Sequence, residues 1–453
     1  MRPGVVVTVV VCAAVLLVPA VAVALPSMPS SLFETSTGCG CHAALLEQWR
    51  GTMHQQALTD PLYLYKLEEA LAATDGALGP YCNGCHSPIA VMAGELAGMD
   101  QSKVSAAGME GVTCTYCHFM TGTSEPPGNT SGTVADDGVK RAQLKDPKAP
   151  HPAEHSAFHE TAEFCGSCHD VYHPINGLLL EATYTEWKAG PYAAQGIVCQ
   201  DCHMTPGPGV TKPYPGKAAA GGPDREHIYQ MTFVGGNVGL GKADLAEERL
   251  KAAAELTLDV PEIVESGDVA LTTTITNVGA GHYLPTGLTE FREMWLEVTA
   301  VDASGTELLS ERRYFVTELE DAEGNAPVEL WDAVAIHSDD RIPPRESTSN
   351  EYSFAMTGDA VTVTAALYYR SCTEEVARKA GVEIPTTTMA EVTRTVYSSA
   401  EAQAVGQEAS GPSGDDTDAS GGLPVWANVL IFIAAAGLVA GAYLLVRRKP
   451  TGA

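Results

Sequence analysis

Cys82-Asn83-Gly84-Cys85-His86 sets two thiols three positions apart, with a histidine directly after the second. The same spacing returns at Cys114-Thr115-Tyr116-Cys117-His118, Cys165-Gly166-Ser167-Cys168-His169 and Cys199-Gln200-Asp201-Cys202-His203. From the composition, roughly 0.01 such units are expected by chance, so four are not an accident of cysteine content. Disulfide frameworks and zinc ribbons also use paired cysteines. Neither calls for a histidine after every second one.

The spacing is the attachment signature of haem c. The two thiols add across the two vinyl groups, and the histidine ligates the iron from beneath the ring. Cys82, Cys85, Cys114, Cys117, Cys165, Cys168, Cys199 and Cys202 are therefore expected to carry four haems, with His86, His118, His169 and His203 on their irons. A fifth unit, Cys39-Gly40-Cys41-His42, lacks one intervening residue. It admits two readings. Cys39, Cys41 and His42 hold a fifth haem, by both sulfurs with strain or by Cys41 alone, or Cys39 bridges to Cys372. Residues 43–58, with Leu45, Leu46, Trp49 and Met53 on an apolar side, read as a helix that favours haem.

Electron-transfer haems usually take two protein ligands. The chain has 13 histidines, and five follow the cysteine units. His54, His151, His155, His159, His173, His227, His282 and His337 remain, enough for bis-histidine ligation throughout. His151, His155 and His159 are four apart and share one face if helical. Of these, His159 and then His155 are the expected ligands. His227 and His282 lie in loop-like contexts that can deliver a ring, whereas His337 lacks one.

Around this chemistry the chain divides. Residues 1–24 read as a signal peptide: Arg2, an apolar run over 5–18, then Ala-Val-Ala at 22–24. Residues 25–241 are rich in Gly, Pro and Cys with short helical stretches at 62–74 and 184–190. They are expected to form a mostly α and irregular domain packed around haems. Residues 242–254 form a helical connector. From 255 to 398, short Thr- and Val-rich alternating runs at 268–277, 294–302, 307–316, 350–356 and 361–369 predict an antiparallel β-sandwich of the immunoglobulin-like kind, with a small helix at 373–381. Residues 399–423 read as a flexible acidic Gly/Ser tether. Residues 424–446 are uncharged and are followed by Arg447, Arg448 and Lys449, the pattern of a transmembrane helix with a cytoplasmic tail at 447–453. This arrangement places the body outside a cell membrane, in a periplasm or at the cell surface. A net charge of -29 argues against nucleic acid and suits a basic or cationic partner.

Residues 39 to about 397 resemble the multihaem cytochromes related to cytochromes c-552 and c-554. The stretches that carry the likeness are Cys41-His42 with Trp49 and His54, Cys82-Asn83-Gly84-Cys85-His86-Ser87-Pro88, and Gly111-Val112-Thr113-Cys114. Two more are Tyr184-Thr185-Glu186-Trp187, leading into Cys199-Gln200-Asp201-Cys202-His203-Met204, and Gly281-His282-Tyr283-Leu284-Pro285-Thr286-Gly287. The resemblance implies closely packed, mostly bis-histidine haems, His54 and His282 as distal ligands, and a following immunoglobulin-like domain. It departs at Cys39-Gly40-Cys41, one residue short of the family pattern.

The expected function is electron transfer, with redox proteins or quinol-linked membrane complexes as partners and self-association open. Two alternatives stand beside it. One is a multihaem oxidoreductase acting on a small nitrogen or sulfur compound, which needs an open iron. The other is the subunit of an extracellular haem filament.

Overall fold

The computed structural model describes residues 27–288 and 292–409. The expected signal peptide, membrane span and tail lie outside them. Among the described residues no helix is long and apolar enough to cross a membrane.

The cysteine-rich part is built from short helices and two-stranded ribbons, because turn residues and cysteine units interrupt every run. Its longest helix, Pro61–Ala73, starts where Asp60 accepts from the Leu62 amide at 2.9 Å and Pro61 takes the first turn. The helix expected over 43–58 is divided into Ala43–Trp49 and Met53–Gln56. Gly51 breaks it with a φ of +71°, and the Thr52 side chain caps the second piece. Nor do His151, His155 and His159 share a helix. His155 ends the strand Ala153–His155 and His159 lies in the 3-10 turn Ala157–Glu160. Pro150 and Pro152 hold the chain around His151 extended, and helical spacing therefore means nothing there.

Helix Ala243–Ala253 runs straight into the second part. Its strands are β1 (Ala254–Asp259), β2 (Asp268–Asn277), β3 (Glu293–Asp302), β4 (Glu307–Tyr314), β5 (Ser347–Ala355), β6 (Ala360–Arg370) and β7 (Thr387–Tyr397). They form two antiparallel sheets, ordered β4-β3-β6-β7 and β5-β2-β1. Alternate residues of both, among them Val269, Ile275, Leu296, Val298, Val361 and Leu367, are buried together in one core. The expected two-sheet architecture is present.

The tether expected from 399 begins as a helix, Ala400–Ala409. Ser399 caps it by accepting from the Ala402 amide at 3.1 Å. Ala, Glu and Gln are strong helix formers, which a composition-based reading for flexibility overlooks. The helix lies against Tyr397, whose ring a Cβ on Gly406 would meet at 2.8 Å.

Several contacts join the two parts. Leu62 packs with Cys372 and Ala377, at the start of helix Glu374–Ala380. Leu180 packs with Leu319 and Ala333 of a hairpin inserted between β4 and β5. Glu186 and Arg341 form a buried ion pair at 2.5 Å.

Candidate functional site

Each five-residue unit folds as a helical turn. The His86 unit closes helix Gly79–His86, and the His118 unit lies in helix Cys114–Phe119. At the other two, the histidine amide donates to the first cysteine's carbonyl, at 3.1 Å for His169 and 2.9 Å for His203. Positions i, i+3 and i+4 of such a turn share a face, so both thiols and the imidazole point the same way. The short unit lies instead in the 3-10 helix Ser36–His42. That segment is kinked at Cys39 (φ -87°, ψ 22°), so the regular alignment of the complete units is lost, and Cys41 is exposed.

Distant histidines face these turns. Ring centres lie 6.3 Å apart for His42–His151, 6.2 Å for His54–His169, 6.0 Å for His118–His159 and 6.1 Å for His203–His282. A metal–imidazole bond is roughly 2 Å and the ring centre lies about 1 Å behind the nitrogen. Two imidazoles in trans on one metal therefore sit about 6 Å apart. Direct stacking would bring them closer, and unrelated rings would have no common spacing. The pairs tilt by 12° to 45°.

Hydrogen bonds hold these rings in the tautomer a metal needs. Nδ1 faces a backbone carbonyl in His42 (Ala218, 2.6 Å), His86 (Ala57, 2.8 Å), His118 (Arg141, 2.6 Å) and His203 (Val234, 2.7 Å). The same holds for His151 (Pro152, 3.1 Å) and His282 (Tyr283, 3.0 Å). An Nδ1 that donates leaves a lone pair on Nε2. His159 reverses the roles. Its Nε2 meets the Cys117 carbonyl at 3.0 Å, and its Nδ1 is buried with no partner. That orphaned atom fits a metal. Burial pushes His54 down to about 3 and His86, His159 and His203 to about 4, which keeps them neutral. Burial would depress His169 too, but the Glu181 carboxylate beside it raises it instead.

The remaining candidates face no unit histidine among the described residues. His227 Nδ1 accepts from the Tyr214 amide at 2.9 Å, which puts the proton on Nε2; that nitrogen is buried without a partner, but the ring packs edge-on against Tyr229. His155 contacts Glu160 at 3.4 Å and faces none of the unit histidines. His173 Nδ1 accepts from the Ile175 and Asn176 amides, and His337 pairs with Glu320. The structure thus brings together His54, His159 and His282 with unit histidines but not His155 or His227, and it adds His151, absent from the expected set. The prolines flanking His151 are the one sequence signal that singles it out. His86 has no histidine opposite it among the described residues, and Tyr63 stacks on it at 3.6 Å. Cys372 is fully buried beside Leu62, and the Cys39 thiol contacts Cys114 instead.

The units also crowd together. Thiols of different units lie near enough to influence each other's ionisation: Cys39 and Cys114, Cys85 and Cys168, Cys165 and Cys199. Close backbone packing fixes the distal ligands. Gly111, at φ +69°, lies so near His54 that a Cβ would meet its carbonyl at 2.6 Å. The Val112 amide donates to that carbonyl at 2.9 Å, while Trp49 Nε1 donates to the Val112 carbonyl. On the sandwich side, Glu186 accepts from the Tyr283 amide (3.1 Å) and Thr286 Oγ1 (2.7 Å), pinning the loop that presents His282.

Four complete attachment units, the orphaned and paired imidazoles and this architecture define a multihaem c-type cytochrome. The family model for cytochrome c554 and c-prime matches residues 39–119, from the short unit through the second complete unit. A penta-haem cytochrome c552 from Thermochromatium tepidum has the same fold. It is 23% identical with a TM-score of 0.62, over 82% of this chain and 100% of that one. A sporulation control protein from Bacillus subtilis is 11% identical over 32% of this chain and 49% of its own, at a TM-score of 0.14, too slight a likeness to bear on the fold. No curated protein matches the chain.

Proposed function

We propose that this protein is an electron carrier holding five haems, anchored to a cell membrane with its body outside. The observation that carries the proposal is the spacing of about 6 Å in four histidine pairs, in units whose thiols lie near one another. Haem, when bound, supplies a one-electron iron couple. The chain's own residues present neutral imidazoles in fixed tautomers and shield them. They also draw the units close enough for exchange between them. Cys39, Cys41 and His42 with His151 form the fifth site, and the similarity to a penta-haem cytochrome supports that count. The sequence pattern at 1–24 and 424–446 supports export and anchoring. Redox proteins or quinol-linked membrane complexes are the partners such placement suits.

The test is a haem stoichiometry and redox titration of the purified protein matured in a host competent for haem c. Five haems per chain with reversible reduction are expected. No haem absorption would overturn the assignment.

A second reading rests on His86, which lacks an opposing histidine among the described residues. An open position at that site would serve a small ligand, as an oxidoreductase requires. Carbon monoxide binding to one haem equivalent of the reduced protein is the expected sign. No uptake would leave a carrier alone.

A further inference from the structure

One unit histidine is held differently from the others. His42, His86, His118 and His203 turn Nδ1 to a neutral backbone carbonyl. His169 turns Nδ1 toward a carboxylate, Glu181 Oε1, at 3.5 Å. The fold builds this approach deliberately close to the unit. Two residues after His169 the chain enters a ribbon, Val171–Tyr172 against Leu179–Glu181, and Val171 pairs with Glu181 itself. The Glu181 side chain is only 15% exposed. Thr183 Oγ1 contacts the same oxygen at 3.5 Å.

We propose that Glu181 tunes the His54–His169 centre, giving its haem the lowest reduction potential in the molecule. The inference rests on the haem reading above. A carboxylate facing Nδ1–H makes the imidazole a stronger donor to oxidised iron. Its charge, on a carboxylate mostly covered beside a half-exposed imidazole, also favours the ferric over the ferrous state. At two other unit histidines a cation acts on the ring, Lys140 on His118 and Arg249 on His203, and the carboxylates near those other units (Glu34, Glu110, Glu163 and Asp201) act on thiols rather than on an imidazole. Glu181 also acts on Cys85 and His86, so the unit next to His169 feels the same charge more weakly. The centre is internal to the set, since His54 lies within electrostatic reach of His86 and His203. A low potential there makes it the last of the haems to reduce and the first to give its electron up.

The test is a potentiometric titration followed by absorbance and by the low-spin ferric EPR signals. In the unaltered protein one signal must persist to a lower potential than the rest. In Glu181→Gln and in Glu181→Ala that signal's midpoint should move upward the most, with a smaller upward shift at the His86 centre and the remaining signals keeping theirs. Glu181→Asp, which keeps the charge, should restore it at least in part. A purely structural role would move the alanine variant and spare the glutamine one. Unchanged midpoints in both neutral variants, with haem content intact, would overturn the inference and leave the haem assignment standing. So would a titration of the unaltered protein in which no signal lies below the others, which needs no variant to fold. Absence of haem from the unaltered protein would instead sink the assignment on which the inference rests.

Discussion

Replacing Glu186 with alanine should release His282 from its centre although Glu186 touches no part of that ring. The carboxylate is 6% exposed and serves three donors. Arg341 Nη1 is at 2.5 Å, the Tyr283 amide at 3.1 Å and Thr286 Oγ1 at 2.7 Å. Breaking a buried ion pair from one side costs about 3–5 kcal/mol, because the remaining charge is stranded. Asp339 still holds Arg341 at 2.8 Å, which points to the lower end. The two other donors add about 1 kcal/mol each. The sum, roughly 5 kcal/mol, falls mainly on the docking of the loop at 281–287. Since about 1.4 kcal/mol is a factor of ten, even half of it moves the docked population more than tenfold. The assay is carbon monoxide uptake by the reduced protein, quantified per haem. One additional haem equivalent should bind in Glu186→Ala, with loss of one low-spin EPR signal. Glu186→Gln, which keeps an acceptor, should lie between. Unchanged uptake and an unchanged low-spin count in the alanine variant would show that the pair does not position His282.

His151→Ala should convert one centre to five-coordinate, whereas His155→Ala and His227→Ala should leave every low-spin signal in place; EPR of the three variants checks this. Gly111→Ala should destabilise the fold by about 1–3 kcal/mol and perturb the His54 centre, because the new Cβ meets the His54 carbonyl at 2.6 Å in a left-handed backbone; denaturant unfolding followed at the haem absorbance measures it. Cys372→Ala should leave the haem count unchanged, and mass spectrometry of the unreduced protein should find no link between Cys39 and Cys372, since that thiol is sealed in the contact between the two parts.

Much of the site was legible because its chemistry is local. A thiol, a thiol and an imidazole must lie on one helical turn, and that requirement writes itself into five consecutive residues. The second ligands carry no such constraint. His282 and His203 are far apart in the chain, and nothing near His282 states which unit it faces. Spacing alone misled at His155. A separation of four means a shared face only if the segment is helical, and Pro152 holds this one extended. At residues 400–409 composition misled in the other direction, because acidity and small side chains were weighed above helix propensity and a serine cap.

By itself the sequence determined the attachment chemistry, the two-part organisation with its alternating strands, and the number of histidines available. These are properties of short windows, in which covalent spacing and the period of a helix or strand leave little choice. The tertiary structure alone decided which histidines face each other, that His86 faces none among the described residues, that His169 answers to a carboxylate, and that a buried ion pair between the two parts holds His282 in place. Such outcomes depend on contacts between residues tens to hundreds of positions apart, and only the folded chain sets those distances.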